Sequence, residues 1–175
     1  RILVPQSSIL NPQKMTLDHY CAMFAALSRA PGQLWGNMTR NGAPHKPLLL
    51  LAVMDLIARG VITSRFISIT GELVELNELF TDYWRSIVPV TQTSSIAFPF
   101  PRLDREPFWQ LVPLPGLEIT GAIINSITSV SQLRSVALGA EIDEELYIHM
   151  QSSTGREKLR AALLRSCFTE AGQLA

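Results

Sequence analysis

The sequence predicts an α+β fold, mostly helical with a small antiparallel sheet or hairpin. Two kinds of stretch carry this expectation. Apolar residues recur at three- and four-residue spacing along residues 16–30, 72–87 and 156–168, the period of a helix with one buried stripe. Shorter runs at 65–69, 95–100 and 108–113 have the length and the Ile, Phe and Trp content of strands. No internal repeat or low-complexity segment interrupts them.

In chain order, residues 1–15, with two prolines and no period, read as an irregular arm. Thr16 can cap a helix to about Ala30, with Leu17, Tyr20, Cys21, Phe24 and Leu27 on one stripe and Pro31-Gly32 as its stop. Residues 33–43 form a loop. A helix then runs from about Pro47 to Ala58 and ends at Arg59-Gly60. Its run Leu48–Val53 is apolar nearly all round, which implies burial on most sides. A strand at Arg65–Ile69 and a helix at Glu72–Ile87 follow, then strands at Ser95–Phe100 and Phe108–Pro113 joined by the turn-like PRLDREP. Residues 114–128 give no clear signal. Ser131–Ala137, Asp143–Met150 and Arg156–Phe168 read as helices.

A chain of 175 residues is long enough to bury a core of its own. Its longest apolar runs fall short of the roughly 20 residues of a membrane span, so no membrane partner is expected. It opens at Arg1 with neither methionine nor leader pattern, as a fragment of a longer protein would. Cys21 and Cys167 lie far apart within helical patterns, which fits buried free thiols in a cytoplasmic protein.

Fifteen basic and fifteen acidic residues cancel, but they are segregated. Residues 1–71 carry Arg1, Lys14, Arg29, Arg40, Lys46, Arg59 and Arg65 against only Asp18 and Asp55. The acids gather later, at Glu72–Asp82 and Glu141–Glu145. This arrangement suits either a positive face for nucleic acid or ordinary solvated helix surfaces.

Chemistry-bearing motifs are few. The sequence has no Gly-x-Ser-x-Gly elbow, phosphate-binding Gly-Lys-Ser/Thr loop, His-Glu-x-x-His helix or zinc spacing. No catalytic residue, metal or other cofactor is therefore expected. His19 and His149 sit on helices as packed or solvated residues. Two segments stand out. In NGAPHKPLLLLAVMDLIARG, residues 41–60, His45 and Lys46 stand at the mouth of a greasy helix, where free amides and the helix dipole favour an anion and Arg40 adds a donor. The same residues also fit a Lys46 that only snorkels from the mouth and a His45 that caps a carbonyl. In SSIAFPFPRLDREPFWQLV, residues 94–112, Phe98-Pro99-Phe100-Pro101 precede Arg102 and Arg105, giving either a strand leaving the sheet or an apolar cup beside cations.

Taken together, APHKPLLLLAVMDLI, ELNELFTDYWRSI and IAFPFPRLDREPFWQLV resemble the sulfur-binding domains of phosphorothioate-dependent, HNH-containing type IV restriction endonucleases. The closing EIDEELYIHMQSSTGREKLRAALLRSCF is similar to the stretch that ends such a domain before its nuclease module. The resemblance covers about residues 16–170, with 171–175 as a tail toward a nuclease module.

It implies a non-enzymatic recognition module for double-stranded DNA with a backbone oxygen replaced by sulfur. The setting would be the bacterial cytoplasm, and a homodimer through the parent protein is admitted. The implied sulfur pocket places Pro99 as its ring, Phe98 where tyrosine is usual, and His45-Lys46 as the adjoining pair. A small residue of relatives falls near Pro101 or Arg102, where this sequence departs from the pattern. The implied DNA contacts are Arg40, His45, Lys46, Arg102 and Arg134, with base readout from loop 33–43 and the Ser131–Arg134 region through Arg40, Asn41, Gln132 or Arg134. Two other classes compete: a metal-dependent nuclease using His45 with an acid such as Asp104, and a protein-interaction domain using the Phe98–Pro101 patch.

Overall fold

A computed structural model describes residues 15–31, 35, 37–40, 42–89 and 91–174. The arm expected over residues 1–15 therefore lies almost wholly outside the described residues, as does Asn41. Helix α1, Leu17–Ala25, opens on a capping box in which Thr16 accepts from the His19 amide and the His19 ring reaches back to Thr16. It ends five residues before the expected Ala30. The following segment is drawn away by other partners: the Ser28 amide donates to Glu106 and the Ala30 carbonyl accepts from Ala43.

Helix α2, His45–Ala58, is the axis of the fold. Twelve of its fourteen residues are buried, from His45 to Ile57, as its all-round apolar sequence predicts. Each fully buried Leu there contributes about 1.5–3 kcal/mol of transfer free energy. Gly60, at φ +77°, turns the chain out of the helix, a left-handed conformation that favours glycine. Strand β1, Phe66–Ser68, leads to the amphipathic α3, Leu73–Ile87, which lays Leu73, Leu76, Phe80 and Trp84 against the core and turns Glu75 and Glu78 to solvent.

The strand expected at Ser95–Phe100 is absent. Residues 96–98 turn, and Pro99–Arg102 form a short helix α4 that runs into a 3-10 turn, Leu103–Arg105. Two prolines explain the difference, because each would delete a ladder donor from a strand and neither costs a hydrogen bond in a first helical turn. The turn is fixed by Asn77, whose Oδ1 accepts from the Ile96 amide at 2.9 Å. Strand β2, Trp109–Pro113, matches expectation.

Helices α5, Gly121–Ser126, and α6, Val130–Arg134, lead to β3, Ala137–Ile142, where the sequence pattern had suggested only the end of a helix. The chain closes with α7, Glu144–Gln151, α8, Ser153–Cys167, and α9, Glu170–Leu174. The last of these packs back on the Asn37–Thr39 turn rather than trailing as a tail, and the Thr169 amide just before it donates to the Met38 carbonyl.

The sheet is antiparallel, in the order β1-β3-β2, with Ile67 opposite Ala140 and Trp109 opposite Ile142. All four residues are buried. Gly139 in the central strand is forced by close approach: a Cβ there would lie 2.2 Å from the Ile67 carbonyl oxygen. Helices α3, α4, α7 and α8 pack against α2, while α1 and the sheet contribute to the same core, giving the α+β architecture the sequence predicts. Both cysteines are free; Cys167 is buried, and Cys21 is only half-buried. No helix among the described residues is long and apolar enough to cross a membrane.

Candidate functional site

The mouth of α2 and the start of α4 meet at an open cleft of about 310 Å³. His45 and Lys46 from α2, Phe98, Pro99 and Arg102 from the α4 turn, Arg105 beyond it, and Arg29 with its neighbours line this cleft. The two segments singled out in the sequence, about fifty residues apart, thus face each other. Their meeting follows from local structure. The helix begins at His45, two residues earlier than expected, so both His45 and Lys46 lie on its first turn behind Pro44. The turn before Pro99 then leaves Phe98 outside the helix at 38 % exposure, the most exposed aromatic ring of the site.

His45 is held in an aromatic box. Its ring centroid lies 4.5 Å from Phe98, 4.6 Å from Trp84 and 5.2 Å from Trp35. Its Nδ1 is buried with no hydrogen-bond partner. Burial, and next the charge of Arg102, lower its pKa to about 4, so the imidazole is neutral at neutral pH.

Lys46 corrects an expectation. Its ammonium does not stand at the rim but donates to Glu106 Oε2 at 2.5 Å, with both side chains about nine-tenths buried. The same oxygen accepts from the Ser28 amide at 3.2 Å. Lys46 therefore neutralises a buried carboxylate and ties α2 to the Leu103–Arg105 turn, leaving no uncompensated charge for a ligand.

Arg102 is likewise committed. Its Nη1 donates to the Phe98 and Ile127 carbonyls at 2.9 and 3.0 Å, and its Nη2 to the Asn125 carbonyl at 3.1 Å. The guanidinium carbon sits 3.7 Å from the centroid of the Phe98 ring, a cation–π contact. Three of its five N–H groups are thus spent on fixing the wall of the cleft. Burial and the neighbouring Arg105 lower its pKa. Arg105 in turn bonds the Asn125 side chain.

Pro99, expected to be the ring that receives sulfur, is itself buried, and the apolar surface on offer is mainly Phe98. Arg29 was not foreseen. Its guanidinium packs against Gly42, where any Cβ would come within 2.7 Å of it, and donates to the Thr39 carbonyl. Glu106 and Arg29 carry no local sequence signal for these roles, since only the tertiary fold brings Arg29 to the cleft and Glu106 to Lys46.

The remaining candidates lie elsewhere. Arg40 stands exposed after the Asn37–Thr39 turn at φ 52° and does not line the cleft. Arg134 lines a separate groove with Phe66, Thr70 and Leu138 beside the sheet. Gln132, expected to read bases, uses its side-chain oxygen to accept from the Thr128 and Ser129 amides in a capping box. Asp104, the acid considered beside His45, accepts from the Leu111 amide at 2.8 Å and is not part of the lining. Among the described residues, no three His, Cys, Asp or Glu side chains group to hold a metal ion.

Fold and site together define an α+β domain with an aromatic cleft rimmed by arginines. Comparison with protein-family models and with curated proteins gave no match for this chain.

Proposed function

We propose that this chain recognises double-stranded DNA carrying a backbone phosphorothioate, with the sulfur settling on Phe98 and the edge of Pro99. One observation carries the reading: an exposed apolar ring, Phe98, stands within a single cleft beside Arg29, Arg102 and Arg105. Sulfur is larger, more polarizable and more weakly hydrated than oxygen, so it loses little on leaving water for an aromatic surface. An anionic oxygen in the same place is stripped of hydrogen bonds at a cost of about 1–3 kcal/mol. The cleft discriminates by penalising oxygen, while the arginine charges attract the phosphate chain without regard to sequence. In this reading the chain is the recognition part of a larger bacterial restriction endonuclease, and cutting belongs to a separate nuclease module.

The test is a titration at fixed salt against paired duplexes identical except for one stereodefined phosphorothioate, in several contexts including GAAC/GTTC and GGCC cores. Tighter binding of the sulfur duplex by about tenfold or more, about 1.4 kcal/mol, is expected. Phe98→Ser should erase that preference, and Arg29→Ala should weaken both duplexes and flatten the salt dependence by about one phosphate contact. Equal affinity in every context would leave a general DNA binder. No binding at low salt would pass the cleft to a peptide partner.

A further inference from the structure

We propose that His45 serves this cleft as a neutral hydrogen-bond donor, through Nε2–H, to a singly charged backbone group, and that the ring takes up no proton when that group binds. The inference rests on the DNA reading above and specifies the chemistry of its ligand.

The argument starts from Nδ1, which is buried without a partner. Buried N–H groups without an acceptor are rarer in proteins than bare lone pairs, so the neutral ring keeps its proton on the other nitrogen. Since Nδ1 is shut away and His45 lines the cleft, Nε2 is the ring nitrogen that can serve a ligand. Protonation would put a second N–H at Nδ1, a buried position with no partner, on a ring packed among the rings of Trp35, Trp84 and Phe98. It would also add a fourth uncompensated charge to a crowded set.

The charged groups around His45 come from three directions. Lys46, its helix neighbour, is cancelled by Glu106; Arg29 comes from the segment after α1; Arg102 and Arg105 come from α4 and the turn beyond. The residues lining the cleft include no carboxylate, and Glu106, behind the lining, is engaged with Lys46 and the Ser28 amide. No acidic side chain there is free to pair with an imidazolium, in line with the lowered pKa of this histidine, which burial and then Arg102 set.

The same inventory suits a backbone phosphate. Arg102 has three N–H groups spent on carbonyls, Arg29 donates to Thr39, and Arg105 bonds Asn125. Most of their N–H groups remain, so the three arginines can hold the oxygens of a backbone phosphate. A singly charged diester gives them its oxygens and leaves its one sulfur to the aromatic ring and the neutral N–H beside it.

Three measurements decide the matter. Long-range nitrogen–proton NMR correlations on the free chain should show His45 as the Nε2–H tautomer, still neutral at about pH 5.5, below the ordinary histidine value of about 6.5. Calorimetric titration of the sulfur duplex at about pH 6, in buffers of different protonation heat, should give no net proton uptake. His45→Gln, which keeps a neutral N–H donor, should retain the sulfur preference to within about threefold, whereas His45→Leu should lower sulfur-duplex affinity by up to about tenfold. An imidazolium at that pH in the free chain overturns the inference, as does uptake approaching one proton that His45→Gln abolishes. If neither duplex binds, the DNA reading falls, and the NMR result still settles the state of the ring.

Discussion

The two ends of α2 treat charge in opposite ways. At the mouth, Lys46 and Glu106 form an ion pair with about a tenth of each side chain exposed, beside a neutral histidine in an aromatic box. Near the other end, Asp55 accepts from the Tyr83 hydroxyl and pairs with Arg160 at 3.2 Å, but Arg160 is 44 % exposed and Asp55 23 %. The wetter cluster clips α2 to α3 and α8, and water can replace much of what it does. The dry pair cannot be replaced in that way, because either charge left alone is stranded. The comparison teaches that the mouth is the end where electrostatics constrain chemistry, while the far end uses charge for assembly.

The largest expected effect comes from breaking the dry pair. Glu106→Gln strands the Lys46 ammonium and should cost about 3–5 kcal/mol in denaturant-monitored stability. The double variant Lys46→Met with Glu106→Leu should recover most of that loss. A double variant as unstable as the single one would mean that geometry rather than stranded charge is at stake, and the contrast between the two ends would vanish.

A smaller effect is expected at the wet end. Burial first, and then the hydrogen bond and charge of Asp55, push the Tyr83 hydroxyl up to about 12. Its folded pKa lies above the unfolded value of about 10, so its contribution is whole below pH 10 and is lost as pH rises through about 12. Asp55→Asn should bring the Tyr83 step in the tyrosinate absorbance titration part of the way back, the step being identified by its loss in Tyr83→Phe. Neutral-pH stability should fall by no more than about 1 kcal/mol. An unmoved tyrosinate step would mean that burial alone sets this hydroxyl.

The smallest effect belongs to a pair with no burial to speak of. Arg85 and Asp82 stand 3.8 Å apart with 75 % and 69 % of their side chains exposed. Arg85→Ala should change thermal stability by less than about 0.5 kcal/mol. A larger loss would point to the groove that Arg85 shares with Trp84 and Val88, not to the ion pair.

The long helices were legible because their stripes are local. Leu73, Leu76, Phe80 and Trp84 recur at helical spacing, and Leu48–Val53 has no polar face to expose. Strand β3 was not legible. Its ALGAEI has a single β-branched residue, Ile142, and at Gly139 the close approach of Ile67 excludes any side chain, so the branched run and alternation that mark a strand are missing. In the site, His45 and the Phe98-Pro99 turn could be singled out from local chemistry and resemblance. The partner of Lys46 could not, since Glu106 is sixty residues away and sits among turn residues with nothing to mark it.

What the sequence by itself determined is the set of local choices: which segments coil, where prolines and glycines end them, and that a cation and an imidazole stand at the mouth of a greasy helix. The tertiary structure alone decided how those charges are used. Packing α2 against α3, α4 and the 28–31 segment brought Glu106 to Lys46, three aromatic rings to His45 and three backbone carbonyls to Arg102. The physical reason is range: helical propensity and capping act within a few residues, whereas the charge state and hydrogen-bonding freedom of a side chain depend on whatever the fold places within a few ångströms of it.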